Sequence, residues 1–504
     1  MTRPPMTFSF FRVALSSAIL AASLAAAPMT ESYVVEDIAF PTDVPPEVGA
    51  IGFDTQGTLY VSLRRGDVLT TKPVADPKGF AWRRFATGFD NGTGMVVAEP
   101  GRILVSQMAD LTEATDTNGD GEADRYRMVT NEWGLSGNYH ETNSVVSDRK
   151  GGYYLSLGTA SHNGPTFEHT QGEYSKFGRR GRNFSAVKFR GWTMHLTADG
   201  QLKPFASGFR MQNGLTLDEE GNVWSSDNQG DWKAVTPLYH VREGRFYGHP
   251  ASLVWDVRWP ADKDPIATYR SDIDAYNAHR TKAAVELPHA ELVRSGAEPI
   301  QIPRDASFGP FGGQMLLTDN NSPRIARIML EKIDGEFQGS ATLFLVQQGL
   351  RSGNNRVRFS PDGKALYVGQ TVRGWGRPSE GLQRIAWKGG VPFTIQMINI
   401  TPTGFRLTFT APVSDEARKA AGYVVRSLVY QPKWTYGSEP HTRAETVSAV
   451  KAVDERTVEL TINSLQPGCV YHIKLADPLV SASQEAPAFR DFYYTANRVP
   501  VAKF

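Results

Sequence analysis

Val357-Arg-Phe-Ser-Pro-Asp-Gly363-Lys-Ala-Leu-Tyr-Val368 reads as two short strands joined by a tight turn. Asp and Gly stand where the turn asks for a positive φ. Five more stretches repeat the phrase: Ile51–Val61, Met95–Val105, Ser144–Leu155, Gly214–Trp224 and Ala306–Leu317, with turn glycines at 57, 101, 152, 221 and 313. A lone hairpin cannot bury its own apolar face. Six in a row need a common core, which is the logic of a six-bladed β-propeller.

Four-stranded blades take about 40–50 residues. The wider gaps, Gly152 to Gly221 and Gly221 to Gly313, therefore imply inserted loops, over Ser161 to Arg190 and Trp255 to His289. Such loops usually shape the site of a propeller. Composition shifts near Lys388-Gly-Gly-Val-Pro392. Beyond it, Phe405-Arg-Leu-Thr-Phe409, Thr457–Ile462 and Val470–Leu475 alternate as half-buried antiparallel strands, with a helical turn over Asp415 to Ala421. The expected fold is all-β: a propeller over 33–388 and a small immunoglobulin- or fibronectin-like β-sandwich over 389–504.

The chain has 504 residues, 54 basic and 53 acidic, for a formal net charge of +1. With no basic stripe, nothing points to a nucleic-acid partner. The one cysteine excludes an internal disulfide, a zinc knuckle and a Cys-x-x-Cys-His haem attachment. An oxidoreductase built this way must pass electrons to a separate carrier such as cytochrome c. Residues 1–27 read as a secretory signal: Arg3 and Arg12, an apolar run from Val13, then Ala25-Ala26-Ala27 as cleavage pattern. The run is short for a membrane span. The expectation is a periplasmic or secreted protein with no span in its mature form.

Four groups of residues carry chemistry. Asp116, Asn118, Asp120, Glu122 and Asp124 place oxygens at alternate positions around Gly121, the pattern of a calcium loop. Arg127 stands where an EF-hand has its bidentate Glu, so the expectation is a short structural calcium loop. His140 precedes the third repeat and is a candidate general base. Arg210 could hold an anion with its planar fork, while Asp227 and Asp231, with carbonyls near Gly230, could hold a second cation. Arg356, Arg358 and Arg373 suggest an anion site around the last repeat. For His140 the competing reading is a hydrogen-bonded structural histidine, for the third group plain bracing between blades, and for the fourth solvated strand faces, since Arg356 and Arg358 alternate.

These residues bring a resemblance into view. Leu111-Thr-Glu-Ala-Thr-Asp-Thr-Asn-Gly-Asp-Gly, Gly137-Asn-Tyr-His-Glu, Gly208-Phe-Arg, Asp227-Asn-Gln-Gly, Phe246-Tyr-Gly-His-Pro, Phe308-Gly-Pro-Phe-Gly-Gly-Gln and Arg373-Gly-Trp-Gly run from about Ala39 to Trp387. Together they resemble the soluble quinoprotein glucose/sorbosone dehydrogenase-like propellers, most closely the exported "membrane-bound dehydrogenase" type of planctomycetes and relatives. The resemblance implies pyrroloquinoline quinone (PQQ) on the propeller face, with a calcium ion polarising it, and oxidation of a sugar. It casts His140 as base and Arg210 as its catalytic partner. Asn213, Asp227, Asn228, Gln229, Arg356, Arg358 and Arg373 would line the cofactor, and Gly230 with Asp231 would hold the functional calcium. Where the family has an acidic residue to orient the histidine, this chain has Gly158-Thr159.

Two other classes stay open. His140, Arg210 and a cation would equally serve a uronate lyase, or a glycoside or lactone hydrolase. A non-catalytic carbohydrate-binding propeller is the third reading. All three share a carbohydrate or sugar-acid ligand.

Overall fold

The computed structural model describes residues 29–135, 138–139, 144–161, 172–175, 177, 181–371 and 379–501. Six four-stranded antiparallel blades form a ring. Their innermost strands are Val48–Phe53, Gly94–Glu99, Ser144–Ser147, Leu215–Leu217, Gly296–Gln301 and Asn354–Phe359, in blades 1 to 6. Each packs beside the next, and the sixth returns to the first. The ring is closed by the chain's first strand, Tyr33–Ile38, which pairs along Gly381–Trp387 and becomes the outer strand of blade 6.

Between successive blades lies an apolar layer. Blades 5 and 6 share Tyr33, Phe308, Phe344, Val357 and Leu366, all buried. Near the axis, space is short. A Cβ on Gly94 would stand 2.6 Å from the backbone nitrogen of Val145, so only glycine lets blades 2 and 3 meet there. The turn glycines do what the hairpin pattern requires: Gly363 has φ +71° and Gly57 +76°.

The fifth repeat differs from its reading. The inner strand of blade 5 is Gly296–Gln301, not the run beginning at Ala306. Residues 302–314 form turns that bring the chain to Met315–Asp319. Pro303 and Pro310 cannot donate to a ladder, which keeps that apolar run out of the sheet. Of the two insertions, the first contributes Ala160–Ser161 and Asn183–Phe184 to a small sheet with Asn138–Tyr139. The second carries two short helices, Pro265–Ser271 and Ile273–His279, each capped by an aspartate, Asp264 and Asp272.

After the propeller, Ile395–Thr401, Gly404–Phe409, Thr457–Ile462 and Val447–Ala452 make one sheet of a sandwich. Asp491–Ala496, Cys469–Leu475, Tyr423–Val429 and His441–Glu445 make the other. Phe405, Leu407, Tyr471, Ile473 and Tyr494 fill the space between. The second sheet does not stop at the sandwich. Its strand Asp491–Ala496 pairs with Glu336–Val346 of blade 5 through Gly339–Thr495, Ser340–Tyr494 and Ala341–Tyr493, so eight strands run as one sheet. Among the described residues no helix is long and apolar enough to cross a membrane.

Phe344 lies on this shared strand and meets Tyr33 edge-on at 4.8 Å between ring centres. Phe344→Ala should therefore cost about 3–5 kcal/mol of stability, read by denaturant unfolding of the full chain. A loss below about 1 kcal/mol would mean that the closing strand does not lean on this cluster.

Candidate functional site

In an antiparallel blade, the segment entering the inner strand and the one linking the second strand to the third lie at the same end. Arg210 and Asn213 enter the inner strand of blade 4, and Asp227 to Asp231 link its second strand, Val223–Ser226, to Thr236–Val241. Arg356 sits near the start of the inner strand of blade 6. These candidates thus share one end of the ring. His140 and Arg373 lie outside the described residues.

The densest buried charge belongs to blade 4. Arg210 donates from Nε to Asp231 Oδ1 at 2.6 Å, and His249 Nε2 pairs with Asp231 Oδ2 at 3.2 Å. All three side chains are buried. Burial alone would raise the Asp231 pKa; the hydrogen bond and charge of His249 and the charge of Arg210 outweigh it and hold the carboxyl well below the usual range. Behind this pair, Asp227 accepts the backbone N–H groups of Arg210, Met211 and Asn228 at 2.7–2.8 Å and faces Lys233 Nζ at 3.3 Å. Lys233 also donates to the carbonyls of Gly208 and Tyr247 and to the Tyr239 hydroxyl. Burial pushes its ammonium pKa down to about 8 against the pull of Asp227.

The second-cation reading at Gly230 and Asp231 meets an obstacle in this geometry. Both Asp231 oxygens already face Arg210 and His249, and the Gly230 carbonyl accepts N–H groups from Lys233 and Gly437. The Arg210 guanidinium lies flat on Gly230, where a Cβ would come within 2.2 Å of Nε. A positive group already occupies the place proposed for a cation. Asp227, likewise, is a backbone clamp rather than a cofactor ligand.

The arginines of blade 6 are braces. Arg356 is buried at the axis and donates to Thr93 O of blade 2, Asn213 Oδ1 of blade 4 and Asn355 O, each at 2.8 Å. Arg358 donates to Ile51 O of blade 1 at 3.2 Å and reaches Glu298 of blade 5 at 3.4 Å. Asn213 also donates to Asn355 Oδ1 at 3.1 Å, and Gln229 donates to Ala234 O at 3.0 Å. The described residues therefore do not fit the calcium of a bound quinone: the oxygens meant for that ion are committed elsewhere, and Arg356 and Arg358 brace the blades.

Blade 4 has uncommitted polar groups of its own. The two terminal nitrogens of Arg210 have no hydrogen-bond partner among the described residues. The same holds for the buried Asn228 Oδ1 and His249 Nδ1. Thr159, standing where the family's acidic residue would be, bonds the Arg210 carbonyl through both its N–H and its hydroxyl and so fixes the backbone of Arg210. A guanidinium locked at Nε with two free terminal nitrogens is shaped to receive a carboxylate.

The Asp116–Asp124 loop joins the third and fourth strands of blade 2, Leu111–Thr115 and Arg125–Thr130, at the opposite end of the ring. Its oxygens knit its own turn. Asp116 accepts N–H groups from Gly119 at 2.6 Å and Gly121 at 2.8 Å, Asn118 accepts that of Asp120, Asp120 that of Glu122, and Asp124 takes the Thr117 hydroxyl. Among the described residues no group of three or more His, Cys, Asp or Glu side chains is placed to hold a metal.

Three site residues were not singled out by their sequence. His249 sits in Phe246-Tyr-Gly-His-Pro, a motif that marked the segment without assigning the histidine a role. Lys233 had no signal beyond its place after Asp231. Tyr436, from the sandwich, bridges to Asp231 and holds its ring 5.6 Å from the Arg210 guanidinium, and nothing in its local sequence connects it to blade 4.

A family model described as "Domain of unknown function (DUF7133)" matches residues 81–288, which span blade 2 to blade 4. No curated protein matches the chain. Among solved structures, the holo PQQ domain of pyranose dehydrogenase from Coprinopsis cinerea is similar at 15% identity over 70% of this chain and 95% of that one, with a TM-score of 0.49. PQQ-bound aldose sugar dehydrogenase from Streptomyces coelicolor is similar at 12% identity over 71% and 98%, TM-score 0.45. The calcium structure of a Trichoderma reesei carbohydrate-active enzyme of family AA12 stands at 14% over 71% and 96%, TM-score 0.47. At such values the likeness carries no inference about activity.

Asp231→Asn would leave Arg210 buried without its counter-charge. It should cost about 3–5 kcal/mol near neutral pH, read by denaturant unfolding. Because the folded pKa of Asp231 is depressed, its stabilisation is full above the unfolded value of about 4 and fades as pH falls below it. The variant should therefore lose part of the wild-type acid sensitivity. Equal acid slopes for both proteins would show that Asp231 is not ion-paired in the folded state.

Proposed function

We propose that this protein is an exported carbohydrate-active enzyme that holds an anionic sugar, a uronate or aldonate, at the blade 4 end of the ring. One observation carries the reading: Arg210 is buried and fixed by Asp231 through Nε, with both terminal nitrogens left for a ligand. A planar fork of this kind meets a carboxylate with two parallel hydrogen bonds. Asp231, backed by His249, keeps the guanidinium from turning away, and Asp227 holds the backbone beneath it. His140, which precedes the inner strand of blade 3 in sequence, is the candidate base for the sugar.

Two chemistries suit this binding step. The sequence motifs shared with quinoprotein sugar dehydrogenases support oxidation of the sugar, with electrons passed to a separate carrier. The committed state of Arg356, Arg358 and Asp231 favours a quinone-free proton transfer instead, as in a uronate lyase or a lactone or glycoside hydrolase. Removing a proton beside a carboxylate is easier when a cation neutralises that carboxylate, which is the part Arg210 would play. The Asp116–Asp124 turn, at the far end of blade 2, serves structure.

Two assays separate the chemistries. PQQ and calcium added to the purified protein, followed by aldoses or aldonates and a dye acceptor, should bleach the dye if oxidation is the reaction. A failure to take up PQQ at micromolar concentration would exclude it. Rising ultraviolet absorbance of an unsaturated uronate on incubation with polyuronides would identify a lyase. Arg210→Lys should weaken uronate binding about tenfold to a hundredfold, because an ammonium cannot both hold Asp231 and present a fork. Unchanged binding by calorimetry would remove Arg210 from the site.

A further inference from the structure

The sandwich reaches back over blade 4. Between Tyr423–Val429 and His441–Glu445 the chain runs through Pro432-Lys-Trp-Thr-Tyr-Gly437. Lys433 O accepts the N–H of Trp232 at 2.7 Å, and Gly437 N–H donates to Gly230 O at 3.0 Å. Asp231 and Tyr436 form a bridge between those bonds. Gly437 has φ +66°, a left-handed conformation that favours glycine, and a Cβ there would press on the end of the Gln229 side chain at 3.0 Å. Trp434 packs toward Trp232, with ring centres 6.4 Å apart, under the Arg270 guanidinium at 5.5 Å.

Backbone bonds and Trp434 anchor this loop, yet Tyr436 is 53% exposed. Two guanidiniums lie over its ring, Arg182 at 4.9 Å and Arg210 at 5.6 Å from the centroid. The pyranose ring of a sugar acid carries a flat face of C–H groups and, at one corner, a carboxylate. A half-exposed aromatic ring next to a carboxylate-holding arginine fits both features at once.

We propose that the sandwich loop is a wall of the substrate site, with Tyr436 stacking on the pyranose ring whose carboxylate Arg210 holds. This rests on the reading of Arg210 given above. The sandwich would then be a part of the recognition apparatus that selects cyclic sugar acids over open-chain or non-sugar carboxylates.

The test is calorimetric titration of the full-length protein with trigalacturonate. Wild type should bind. Tyr436→Phe should bind as wild type does, since it keeps the ring, and Tyr436→Leu should bind about tenfold more weakly, since it keeps bulk and apolarity without an aromatic face. Thermal melting of both variants at the wild-type temperature would exclude a folding defect as the cause. Absence of wild-type binding would sink the Arg210 reading, and this inference with it. Wild-type binding matched by Tyr436→Leu would overturn the stacking role alone and leave Arg210 in place. Tyr436→Phe as weak as Tyr436→Leu would assign the effect to the hydroxyl and equally overturn stacking.

Discussion

Closure of the ring is the constraint on which the remaining structure depends. Six twisted sheets around an axis have no stable open form, because the gap would leave two apolar blade faces in water. Tyr33–Ile38 closes it by lying against Gly381–Trp387 at the far end of the described propeller. Only then do the six inner strands converge, and only then can Arg356 of blade 6 reach Thr93 of blade 2 and Asn213 of blade 4. An arginine buried at an axis is tolerable because carbonyls and amides from separate blades surround it. The same bonds hold the entries to the inner strands in register, so the position of Arg210 derives in part from closure far away in sequence.

Among the described residues, some buried charges brace the fold and Arg210 is left partly open. Asp227 with Lys233 and Glu298 with Arg358 are paired within the fold. Arg210 is satisfied on one side only. A group that is fully paired strengthens the scaffold and has little left for a ligand; a group pinned at one nitrogen is oriented without being used up. That difference marks Arg210 of blade 4 as the candidate ligand-holding group.

The architecture was legible wherever local chemistry determines it. Asp362-Gly363 and Gln56-Gly57 mark turns that need a positive φ, and such turns fix hairpins without reference to anything distant. The alternation after Lys388 likewise announces half-buried strands. The fifth repeat was misleading because Phe308 and Phe311 look like strand residues but pack from turns into the layer between blades 5 and 6. For the site, sequence could show that Arg210, Asp227 and Asp231 stand beside strand ends. It could not show that Asp231 pairs with Arg210 and His249, because pairing is decided by which ends the ring brings together. Tyr436 was beyond reach for the same reason, being more than half the length of the propeller away in the chain.

The seam between Glu336–Val346 and Asp491–Ala496 makes the sandwich something other than a cassette. Modules joined by a flexible linker can be exchanged or lost with little effect on their neighbours. Here the join is a ladder of backbone hydrogen bonds, with Tyr493 and Leu428 of the sandwich buried against Trp224 and Ile328 of the blades. Severing it would bare the N–H and C=O groups of a long strand, the kind of edge that templates self-association. Inheritance should therefore treat the two bodies as a single unit, and changes in one should be answered by changes in the other along this line.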